Sequence, residues 1–137
     1  MGVAFAKQAG KGSPPELGSA LALFGKRNGG IVTADKTLDA SDTGKSFFTT
    51  GATAKITFTL PAAGVSGGAF FRFWCGHIEG MVVAAKAVDT LITFNDTAAD
   101  SLEVSSVNAS IGALIDVESD GTNWYAAVLE GTRTVNT

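Results

Sequence analysis

Three short stretches of this chain carry residues able to do chemistry. The first is Gly44-Lys45-Ser46, which reads like the tail of a phosphate-binding loop. Such a loop has a glycine five residues before the Gly-Lys pair and opens a helix whose N–H groups face the phosphate. Here that position is Asp39, and Asp42 adds a second charge that would repel a phosphate. The text that follows, Phe47-Phe48-Thr49-Thr50, is strand-forming. Residues 41–44 therefore read as a turn, with an acidic side chain and a glycine able to take positive φ. Lys45 then opens a strand on its wet side.

Cys75 and His77 are two apart and would face the same way on a strand. A structural zinc wants four ligands, and His77 is the only histidine and Cys75 the only cysteine. The pair reads as a buried thiol beside a hydrogen-bonded imidazole. Nucleophilic attack by Cys75 would need His77 as base and a third group to orient it. Asp116 and Glu118 share a strand face, as do Glu118 and Asp120, and glycosidases use such paired carboxylates. Alternation sets these acids opposite Ile115 and Val117, on a solvated acidic edge that discourages strand-to-strand aggregation. No catalytic, cofactor-binding or metal-binding residue is expected, and the chain reads as no enzyme.

The elements around these residues are strands. "AKITFTLP" alternates, with Ile56, Phe58 and Leu60 on one face and Lys55, Thr57 and Thr59 on the other. "KSFFTT", "AFFRFWCG", "GMVVAAKA" and "TLITFND" are further strands, with "AVD" and "NDTAAD" as turns. Ile111, Ala113, Ile115 and Val117 point inward on one more, and Trp124, Ala126 and Val128 share a face on the last. Strands at spacings of about 8–12 residues, with almost no helical text between them, predict an all-β fold. The expectation is an antiparallel β-sandwich, jelly-roll-like, or a short barrel, with an extended N-terminal arm.

Residues 1–30 form that arm and residues 31–137 the body. Within the arm, Ser13, Pro14 and Glu16 give a capping-box pattern for a short helix, with Leu17, Leu21 and Phe24 on one face. "RNGG" reads as a flexible joint. The arm carries a net charge of +3 and the body −6, so the arm would be drawn to an acidic surface. With −3 overall, the whole chain is no partner for nucleic acid. No apolar run approaches the ~20 residues of a membrane span. Charged residues make up only 17% of the chain, beside seventeen glycines, which suits a sheet protein with many turns or a chain that hides surface in an assembly.

Phe70, Phe71, Phe73 and Trp74 are the densest aromatic cluster. By parity Phe71 and Phe73 share one face, and Phe70, Arg72 and Trp74 the other. A sheet with both faces covered explains this, the second by a neighbouring subunit. Plain core and a ligand-stacking platform are the other readings.

"TADKTLDASDTGKSFFTTGATAKITFTLPAA" and the closing "DGTNWYAAV" resemble segments that recur in virion structural proteins of tailed bacteriophages. The likeness brackets residues 31–128. It implies a compact β domain, commonly trimeric, of the capsid decoration (cement) or head-fibre type, made in the host cytoplasm and carried on the capsid surface. Its partners would be the major capsid protein and further copies of itself. On that reading Lys7, Lys11, Lys26 and Arg27 supply charge attraction to the capsid, and Leu17, Leu21 and Phe24 supply apolar area. The alternative is a head- or tail-fibre module that binds a receptor or glycan.

Overall fold

The computed structural model describes residues 27–65, 67–105 and 110–137. The expected helix lies outside the described residues, as do Lys7, Lys11, Leu17, Leu21, Phe24 and Lys26. Arg27 lies inside them.

The described chain is almost entirely strand and turn. Its strands are β1 (Arg27–Ile31), β2 (Lys36–Thr37), β3 (Lys45–Phe48), β4 (Ile56–Thr59), β5 (Phe70–Trp74), β6 (Met81–Ala84), β7 (Leu91–Thr93), β8 (Asp96–Ala99), β9 (Ser101–Val104), β10 (Leu114–Ser119), β11 (Trp124–Glu130) and β12 (Thr134–Asn136). They form two sheets. The larger has the order β1-β3-β5-β10-β11-β7-β8 and the smaller β12-β9-β6-β4-β2.

The expected sandwich is present, but its sheets are mixed rather than antiparallel. Five pairings are parallel: β1–β3, β3–β5, β2–β4, β4–β6 and β7–β11. The reason lies in the path of the first six strands. The chain alternates between the sheets, so β1, β3 and β5 lie side by side in one and β2, β4 and β6 in the other. A parallel neighbour needs a long crossover, usually a helix. Here each crossover is a strand of the facing sheet, which costs no helix and leaves the strands closely spaced. An antiparallel jelly roll has no such parallel neighbours.

Alternation holds the sheets together. Ile56, Phe58, Met81, Val83, Leu102 and Val104 of the smaller sheet face Phe47, Phe71, Phe73, Ile115, Val117 and Trp124 of the larger, and all are buried. Phe58 sits at the centre, its ring centroid 4.5 Å from that of Phe73 and 5.7 Å from that of Phe47. Burying each such side chain stabilises the fold by roughly 1.5–3 kcal/mol. The Trp124 indole also donates to the Pro61 carbonyl at 2.9 Å, tying β11 to the loop that leaves β4.

Four further expectations are corrected. β1 spans Arg27–Ile31, so the boundary read at residue 30 falls inside it, and "RNGG" is strand rather than joint. "NDTAAD" holds β8, because β7 turns back on itself at Phe94 and Asn95 rather than ending in a loop. Ile111 is exposed; it stands in the turn before Gly112, ahead of the first β10 residue. Asp116 and Glu118 are on no edge, since β10 lies between β5 and β11.

Candidate functional site

The Gly-Lys-Ser stretch is a turn into a strand. Asp39 caps a single 3-10 turn over Ala40–Asp42 by accepting from the Ser41 N–H at 2.9 Å. Gly44 follows at φ +83°, a conformation that costs an L side chain. Its N–H donates to the Phe70 carbonyl at 2.7 Å. Lys45 then begins β3 and holds Asp42 at 2.7 Å. Burial opposes ionisation of Asp42. The Lys45 hydrogen bond, the Asp39 N–H and the charges of Lys45 and Lys36 outweigh it and hold the carboxyl below its ordinary range. Arg27, counted above with the arm, is spent here as well: its guanidinium donates to the carbonyls of Ser41 and Thr43.

Cys75 and His77 are both buried, and each finds a local partner. His77 Nε2 lies 3.0 Å from the Ala54 carbonyl, so that nitrogen carries the proton. Nδ1 then accepts from Thr49 Oγ1 at 2.8 Å, and Thr49 Oγ1 accepts the Gly76 N–H at 3.0 Å. The Cys75 thiol donates to the His77 carbonyl at 3.3 Å. The imidazole is occupied on both nitrogens and stands away from solvent, so it braces two loops. Among the described residues no group of three or more His, Cys, Asp or Glu could hold a metal ion.

The aromatic cluster divides as parity requires. Phe71 and Phe73 belong to the subunit's own core, at 1% and 0% exposure, so neither can reach a neighbouring subunit. Phe70, Arg72 and Trp74 are half-buried on the outer face of the larger sheet. That outer face is built in rows set by strand register. Ile31, Phe48, Trp74 and Leu114 form one apolar row across β1, β3, β5 and β10. Ser46, Arg72, Asp116 and Ala127 form the next, and Phe70, Glu118, Tyr125 and Ile92 the one after.

The last two rows floor a groove of about 650 Å³, walled on one side by Phe94, Asn95, Asp96 and Thr97 of the β7–β8 hairpin. That volume is in the range of ligand pockets. Arg72 makes a two-pronged ion pair with Asp116, Nε to Oδ1 at 2.6 Å and Nη2 to Oδ2 at 2.5 Å, and Asp116 raises the guanidinium's affinity for its proton. The acid pair read from the sequence is therefore split: Asp116 is neutralised by Arg72, while Glu118 is exposed and joins none of the ion pairs among the described residues. The sequence gives no sign of this groove. Its wall comes from a hairpin read as a turn, and the Arg72–Asp116 pair joins residues far apart in the chain.

Set against known protein families and curated proteins, the chain matches none.

Proposed function

We propose that the chain is a virion structural protein of the tailed-phage capsid decoration (cement) type, held on the head surface as a homotrimer. The observation that carries this reading is the apolar row Ile31–Phe48–Trp74–Leu114 on the outer face of the larger sheet. The outer face of a β-sandwich is ordinarily polar, and a row of large apolar side chains there marks an association surface. Ile31 is 67% exposed, Phe48 and Trp74 are half-buried, and Leu114 is buried beneath the row's end. The row takes over the interface role first read into Phe70, Phe71, Phe73 and Trp74; of these, only Trp74 lies on it.

Two features of the sequence support the attachment mode. Residues 31–128 carry the likeness to virion proteins, and the +3 leading segment contrasts with the −6 body. The arm would grip the capsid through Lys7, Lys11 and Lys26 by charge and through Leu17, Leu21 and Phe24 by apolar burial. Three arms on one trimer multiply a weak contact by effective concentration. The test is co-sedimentation with purified heads. Full-length protein should sediment with them; protein lacking residues 1–26 should keep its oligomer and stay in the supernatant. Full-strength binding by the shortened chain would refute the arm's role. A second reading, a fibre module, is favoured by the groove alone.

A further inference from the structure

We propose that the groove on the outer face of the larger sheet is a binding site for a neutral saccharide. The inference deepens the fibre reading and does not depend on capsid attachment.

Its aromatic walls are fixed in place before any ligand arrives. Phe94 is 72% exposed at the hairpin tip, where it and Asn95 take positive φ of 23° and 64°. An exposed phenylalanine in that backbone region is costly and needs a hold. Arg133 supplies it, its guanidinium carbon 3.5 Å from the ring centroid. Tyr125 is 44% exposed and is anchored from its far end. Its hydroxyl donates to Asp120 Oδ2 at 3.0 Å, and Asp120 Oδ1 is fixed by the N–H groups of Thr122 and Asn123 at 2.8 and 2.7 Å. Both rings line the groove. A ring held by contacts outside a site lowers the ordering cost of binding within it.

The charges in the groove select the ligand class. Arg72 is neutralised by Asp116 and Lys45 by Asp42. Glu118 and Asp96 line the groove and outnumber the Arg133 cation stacked on Phe94, so phosphates, sialic acids and nucleic acid are disfavoured. A neutral pyranose fits what remains. Its C–H face lies against Phe94 and Tyr125, and its hydroxyls donate to Glu118. On the floor, Ser46 Oγ, buried in the row beside Arg72, has no hydrogen-bond partner among the described residues. A basic, apolar peptide is the rival occupant, since β8 beside the groove is the edge strand of its sheet, and it is an outcome of the test.

The test is amide chemical-shift mapping on the full-length chain. The probes are gluco-, galacto- and N-acetylglucosamine oligosaccharides, sialyllactose and heparin, and a synthetic peptide of residues 1–26. At least one neutral sugar should shift Phe94, Glu118 and Tyr125 saturably. Phe94→Ala and Tyr125→Phe separate the two rings' roles: the first should weaken binding about tenfold. The second removes only the Asp120 anchor and should weaken it less. Silence across the neutral panel would overturn the proposal, and so would shifts from sialyllactose, heparin or the peptide alone. Loss of capsid binding on removal of residues 1–26 should leave sugar binding intact, so the two readings fail separately.

Discussion

Replacing Gly80 by alanine should cost far more than replacing Gly51, although their φ angles are nearly alike. Gly51 has φ +85° and Gly80 φ +86°. In that region an L side chain costs about 1–2 kcal/mol, partly offset by the entropy alanine removes from the unfolded chain. At Gly51 a Cβ would meet nothing within 4 Å, so Gly51→Ala should stay near 1 kcal/mol. At Gly80 a Cβ would stand inside 3.0 Å of the Val104 carbonyl oxygen and of Ser105 Cα. Both obstacles are backbone at the end of β9, which pairs with β6 immediately after Gly80. The clash can be relieved only by moving a strand, and such overpacking adds roughly 1–3 kcal/mol. Gly80→Ala should therefore destabilise by about 2–5 kcal/mol in total. Urea unfolding followed by the fluorescence of Trp74 and Trp124 would measure both variants, with midpoints compared at constant slope. Costs within about 0.5 kcal/mol of each other would refute the close approach of β9 to the β6 turn, and with it the pairing of the smaller sheet.

Other outcomes follow from the same contacts. Phe58→Ala empties the centre of the aromatic core and should cost about 3–5 kcal/mol by the same assay. Thr49→Val leaves His77 Nδ1 and the Gly76 N–H without their shared partner and should cost about 1–3 kcal/mol, where Thr50→Val, at an exposed site, should cost little. Burial disfavours the charged form of Glu103, but the Lys55 hydrogen bond and charge, with Asn136 and Ser105, hold its pKa below the ordinary range, as Lys45 does for Asp42. Depressed carboxyl pKa values contribute stability that is present above the unfolded values of about 4 and is lost as pH falls through the folded values. Unfolding free energy should thus be flat from neutral pH down to about pH 5 and fall below about pH 4, less steeply in the Asp42→Asn, Glu103→Gln double variant. If the proposed trimer forms through the apolar row, Trp74→Arg should lower the solution mass towards monomer by light scattering, with the far-ultraviolet circular dichroism unchanged.

Period-two alternation made much of the sheet legible. Ile56, Phe58 and Leu60 are buried as their spacing requires, and Phe71 and Phe73 part from Phe70, Arg72 and Trp74. Parallel pairing was not legible, because alternation records which face a residue takes and not which strand lies beside it. Closely spaced strands without helices suggested hairpins; a crossover through the opposite sheet produces the same text. β1 was hidden because its residues, Arg27-Asn28-Gly29-Gly30, have turn composition, and only the ladder to β3 and the Arg27 contacts with residues 41 and 43 make them strand. Asp116 looked like half of an acid pair because its partner, Arg72, is distant in the chain and adjacent only through the β5–β10 register.

The central proposal is that this sandwich sits on a phage head with its apolar row covered by its own copies. Electron cryo-microscopy of heads incubated with the full-length protein tests it most directly. The account predicts three-fold clusters of two-layered density on the outer surface, with Ile31, Phe48 and Trp74 turned towards neighbouring copies. Heads left bare at saturating protein, or bound single copies with that row facing solvent, would contradict it.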